Sequence, residues 1–70
     1  MAIRTGSRVS WPWGNGTGVG KVAELHHERV ERTINGSSIA RNGTDQDPAL
    51  VIEQHDGSMV LKLRSEVDPV

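Results

Sequence analysis

Turn-forming residues interrupt this chain every several positions, and no apolar stripe of helical period survives between them. A chain cut into pieces this short builds strands, not helices. Val9 and Trp11 alternate with Arg8 and Ser10, the period-two pattern of a half-buried strand. Thr5-Gly6-Ser7 reads as a turn before it. Pro12, which has no N–H for a ladder, is expected to end the strand, and Trp13 to Gly18 to form a glycine-rich loop. A second strand follows over about Val19 to Leu25. Its alternation is broken, with Val19, Ala23 and Leu25 on one face and Val22 on the other, so a bend or bulge near Gly20 is expected.

A third strand is expected over Glu28 to Ile34, with Val30 and Ile34 in phase. Asn35-Gly36 is a turn dipeptide after it. The polar stretch Ser37 to Asp47 reads as a long loop anchored by Ile39. Ala49 to Gln54 forms a fourth strand, and Asp56-Gly57 joins it to a fifth over Ser58 to Leu63. Met59, Leu61 and Leu63 share a face there. Arg64 to Val67 reads as a short helical turn with Val67 capping the core. Five short strands and one polar loop predict an all-β fold, a small SH3-like barrel whose closure removes exposed edges. The whole chain, 1–70, is read as one such domain with its core over about 3–67.

The chain has 70 residues and no cysteine, which excludes disulfides, thiolate metal sites and cysteine nucleophiles. No apolar run reaches the ~20 residues that span a bilayer, and the N-terminus lacks a secretory apolar stretch, so a cytoplasmic location and no membrane partner are expected. Formal net charge is −1, which gives no overall attraction to nucleic acid.

Several chemical motifs fail on inspection. Gly14-Asn15-Gly16-Thr17-Gly18-Val19-Gly20-Lys21 has the glycine density of a phosphate loop. However, Asn15 stands where the first Walker glycine belongs, Val22 replaces the magnesium-binding hydroxyl, and the segment leads into a strand. His26 and His27 are adjacent and diverge in a strand, and His55 sits at a turn, so no metal site is expected. Ser, His and Asp occur without a nucleophile elbow. Glu24, Glu28 and Glu31 lie among arginines, as cross-strand ion pairs would. Three Asn-Gly-Ser/Thr triplets match the glycosylation pattern, but Asn-Gly is also the preferred turn dipeptide. The expectation is no enzyme and no cofactor.

Tyr and Phe are absent, so Trp11 and Trp13 are the only large aromatics. Trp11 shares a face with Val9 and is expected in the core. Trp13 is expected at a barrel mouth, where its ring either meets a ligand or covers the core. Two tryptophans alone do not build a full aromatic cage for a methylated cation.

Gly6-Ser7-Arg8-Val9-Ser10-Trp11, then Trp13-Gly14-Asn15-Gly16-Thr17 and Gly20-Lys21-Val22, resemble the opening of the Tudor-like domain of the hypervirulence-associated protein family. Ile34-Asn35-Gly36, Arg41-Asn42, Asp47-Pro48-Ala49, Ile52-Glu53, Val60-Leu61-Lys62 and Ser65-Glu66-Val67 continue the resemblance in order. It implies a Tudor-like, SH3-like small barrel, and no particular activity. The function expected is a noncatalytic interaction module that binds a protein or peptide. Trp13, Asn15, Thr17, Arg41 and Asn42 are the candidate ligand-binding residues. The alternatives are a nucleic-acid-binding barrel using Arg4, Arg8, Lys21 and Arg41, and a structural, self-associating domain.

Overall fold

The computed structural model describes residues 3–70. Among these, the chain forms seven strands: β1 (Arg8–Trp13), β2 (Gly16–His26), β3 (Arg29–Ile34), β4 (Ser37–Asn42), β5 (Ala49–Glu53), β6 (Met59–Leu63) and β7 (Asp68–Pro69). A single 3-10 turn, Arg64–Glu66, precedes β7. The strands make two antiparallel sheets, one in the order β6-β5-β2-β1-β7 and the other the β3-β4 hairpin. The architecture is all-β and barrel-type, with more strands than the turn signals suggest. No helix among the described residues is long and apolar enough to cross a membrane.

β2 does most of the organising. Its first half pairs with β1, from Trp13 opposite Gly16 to Arg8 opposite Lys21. Its second half pairs with β5, from Lys21 opposite Glu53 to His26 opposite Ala49. The two halves therefore share only a short overlap. A bulge between Val22 and Glu24 inserts Ala23 and changes which residues face inward. Gly18, Gly20 and Val22 face one way before it, and Leu25 joins that face after it. The bulge thus lies just beyond Gly20, and Val19 points outward, 46% exposed.

Two apolar clusters stabilise the molecule, one on each face of β5. Leu50 and Ile52 join Val9, Trp11, Val22 and Val67. Ala49 and Val51 join Val30 and Leu61, with Ile34, Ile39, Met59 and Leu63 packed against them. A strand buried on both faces reads as an unbroken apolar run, which is what Ala49-Leu50-Val51-Ile52 is. The β3-β4 hairpin covers the face of β6 that carries Met59, Leu61 and Leu63. Val67 caps the first cluster directly after the 3-10 turn.

Leu25 thus shares a face with Val22 and not with Val19, and three further expectations change. The segment from Ser37 is not a long loop. Asn35 and Gly36 both take positive φ, 53° and 79°, as a type I′ turn requires, and Ser37–Asn42 returns along β3 as a full strand. Ile39 does anchor it. Pro12 does not end β1, which continues through Trp13. Alternation along the β1–β2 ladder directs the nitrogen of Pro12 away from β2, beyond the short reach of β7 at Val9 and Ser10. An edge position of this kind costs no hydrogen bond. The Trp13–Gly18 segment is accordingly a two-residue turn, Gly14-Asn15 with Gly14 at φ 56°, followed by strand. Glycine at the first central position is the II′ pattern.

Candidate interaction site at the β1–β2 overhang

The β1–β2 hairpin extends past the end of β5 and leaves a cleft between itself and the β5–β6 turn. Trp13 and Thr17 line that cleft with Gly18, Val19, Asn35, Gln54, His55 and Met59, and its volume is about 520 Å³. Trp13 lies on the same face of β1 as Val9 and Trp11, yet it is 73% exposed where Trp11 is 2% exposed. The core ends at Trp11 because β5 ends, so the next inward position overhangs. Trp13 therefore does not cover the core. Its ladder partner is Gly16, which offers no side chain to pack against the ring.

The floor is set by local hydrogen bonds. Gln54 N donates to Ser58 O at 2.8 Å and Gly57 N to Gln54 O at 2.9 Å, which close the β5–β6 turn. Ser58 Oγ and N both donate to Asp56 Oδ1, at 2.7 and 2.9 Å. These bonds, the hydroxyl's above all, hold the Asp56 carboxyl below its ordinary pKa.

A second cleft of about 400 Å³ adjoins the first at Val19 and carries Arg8, Lys21, Glu53 and His55. Arg8 and Lys21 face each other across the β1–β2 ladder, and Glu53 faces Lys21 across the next. Among the described residues neither cation lies within 4.0 Å of a carboxylate.

The remaining candidate residues do not line the Trp13 cleft. Asn15 is in the hairpin turn beside it. Arg41 and Asn42 end β4, at the opposite end of the β3-β4 hairpin from Asn35. Arg41 Nε donates to Glu66 Oε1 at 2.9 Å, and Asn42 Oδ1 accepts from Arg29 Nη1 at 3.3 Å. Burial alone would raise the pKa of Glu66. The backbone N–H of Leu63 and the Arg41 guanidinium outweigh it and hold the carboxyl low. Arg41 thus ties β4 to the 3-10 turn. The four basic residues read as a nucleic-acid patch do not assemble either: Arg8 and Lys21 share a cleft, Arg4 lines another with Leu25 and Arg64, and Arg41 is with Glu66.

A comparable cross-link joins the two sheets elsewhere. Glu24 Oε1 accepts from His26 Nε2 at 2.7 Å and from Arg32 Nη2 at 2.8 Å, and these bonds lower its pKa, His26's first. Of the three glutamates expected to pair across strands, Glu24 does so; Glu31 instead accepts from Ser38 Oγ at 3.0 Å, and Glu28 has no cation within 4.0 Å among the described residues. Among the described residues no group of three or more His, Asp or Glu side chains is placed to hold a metal.

The sequence missed Asn35 and Met59 as neighbours of Trp13. Both were visible only as a turn residue and a core residue, and the hairpin overhang alone brings them to the cleft.

A barrel-type β-fold with a bent, shared second strand and an aromatic at its mouth is that of a small Tudor-like domain, a class of generally noncatalytic binding modules. The chain belongs to the family described as the hypervirulence associated proteins TUDOR domain, whose model matches residues 6–67. No curated protein and no solved structure matches it.

Proposed function

We propose that this domain is a noncatalytic interaction module that binds a protein or peptide at the cleft beside Trp13. The observation that carries the proposal is the exposure of Trp13, 73%, at an inward-facing position of β1. A large apolar ring left in water gains much when a partner covers it. Tryptophan also offers wide contact area with few rotors to immobilise. Thr17, Asn35, Gln54 and Ser58 supply hydrogen-bonding groups around the ring. The dispersal of Arg4, Arg8, Lys21 and Arg41 favours this reading over a nucleic-acid track, which needs an aligned basic groove and a stacking platform.

The test is Trp13→Ala. The ring contributes little to the core, so the variant should melt within a few degrees of wild type. It should lose the peptides that the wild-type domain selects from a random displayed library. A strongly destabilised variant, or a folded one that keeps every selected peptide, rejects the assignment.

A further inference from the structure

β2 has an open edge. Opposite β1, the ladder alternates from the Gly14-Asn15 turn, so Gly16, Gly18 and Gly20 direct their N–H and C=O groups toward β1. Thr17 and Val19 direct theirs the other way. β5 pairs with β2 only from Lys21 onward, so it does not reach them. Neither Thr17 nor Val19 has a backbone partner outside the ladders among the described residues. Two N–H groups and two C=O groups therefore face the cleft in a row, in line with the axis of β5. Both residues line that cleft.

Natural sheets usually cover or charge such an edge. Here it is flanked by glycines and an exposed tryptophan. We infer that an extended segment of a partner protein adds to β2 at Thr17 and Val19, continuing the line of β5. This rests on the proposal that the Trp13 cleft is a binding surface and adds how the partner is held. Main-chain hydrogen bonds give the affinity, and alternate side chains give the selectivity.

The alternation also states the chemistry of the segment. Its residue opposite Gly18 faces the side where Gly16 and Gly18 leave room and Trp13 projects, so it is apolar. Its neighbour opposite Val19 faces the other side. There the adjoining cleft is lined by Arg8 and Lys21 against the single carboxylate of Glu53, while Asp68, opposite Ser10, lies across β1 and outside that lining. That neighbour is acidic. The partner is an extended peptide alternating apolar and acidic residues, without proline at the pairing positions.

The experiment pans the immobilised domain against a random dodecapeptide library and titrates a selected peptide into ¹⁵N-labelled protein. We expect alternating apolar and acidic residues to be enriched, and slowed amide exchange at Thr17 and Val19 on binding. Val19→Pro removes one outward N–H and leaves the β1 ladder intact; it should weaken binding about tenfold, the scale of one hydrogen bond. Val19→Thr, which keeps the N–H, should bind within about threefold, because it alters no main-chain bond. If Val19→Pro does not fold, the peptide is N-methylated at the amides facing β2, and the same loss is expected. Binding that depends on Trp13 without protecting Thr17 or Val19 overturns edge pairing while leaving the Trp13 assignment in place. Enrichment of basic peptides, a self-associated dimer that buries this edge, or selective binding of a single-stranded oligonucleotide there overturns the inference.

Discussion

Gly18→Ala should destabilise the domain through one side chain. A Cβ built on Gly18 falls 2.5 Å from Trp11 Cε2, 2.6 Å from Nε1 and 2.8 Å from Cζ2. The indole lies flat across the β2 backbone, and only glycine leaves space for it. Trp11 cannot swing aside, because it is 2% exposed and packed with Val9, Val22, Leu50, Ile52 and Val67. Forcing a methyl into a filled core costs about 1–3 kcal/mol. Three close contacts with a rigid ring place this case in the upper part of that range. Replacing glycine returns roughly 0.4–1 kcal/mol by restricting the unfolded chain. The net loss is then about 1–2.5 kcal/mol, from a total of only about 4–10 kcal/mol for a chain of this size. Each kcal/mol lowers Tm by about 4–8 °C in small domains. Urea unfolding followed by tryptophan fluorescence reads the change directly. Gly16→Ala is the matched control, since its Cβ would meet only Trp13 O at 3.9 Å and should be near neutral. In a Trp11→Leu background the Gly18→Ala penalty should largely vanish, because the two sites are in contact. If Gly18→Ala unfolds at the wild-type urea midpoint, or keeps its full cost without the indole, the ring does not lie on β2 as described.

Trp11→Ala should remove about 3–5 kcal/mol and lower Tm by more than about 12 °C; a circular dichroism melt within a few degrees of wild type would place Trp11 outside the core. Gly36→Ala should cost about 1 kcal/mol, because φ is 79° there and an L side chain resists the left-handed region, and thermal melting checks it. Glu66 has a lowered folded-state pKa, so its contribution is complete above the ordinary glutamate range and is lost as pH falls through the folded value. Glu66→Gln should therefore flatten the acid limb of the stability–pH curve, and an acid limb unchanged in Glu66→Gln would show that the Arg41 and Leu63 contacts do not hold the carboxylate.

The amino-acid sequence by itself determined the local structure. Alternation at Val9/Trp11 and Met59/Leu61/Leu63 set the strand phase, since side-chain direction in a strand depends only on position parity. Asn35-Gly36 and Asp56-Gly57 marked their turns, because few residues tolerate positive φ. The assignment of Trp11 to the core followed from its phase with Val9. Ser37–Asn42 was illegible, since its polarity masks a strand held by Ile39, by pairing with β3 and by the Arg41–Glu66 contact. Pro12 misled for a related reason: whether a missing N–H matters depends on which edge it faces, and register decides that. The tertiary structure alone decided where β5 stops relative to the β1–β2 hairpin. That difference in length buries Trp11 and exposes Trp13, two positions on in the same phase. The β3-β4 register puts Arg41 and Asn42 at the far end of their hairpin and Asn35 at the cleft, where Met59 also lies. These are relations between strands distant in sequence, set by the bulge in β2 and the packing of both faces of β5, and no local pattern encodes them.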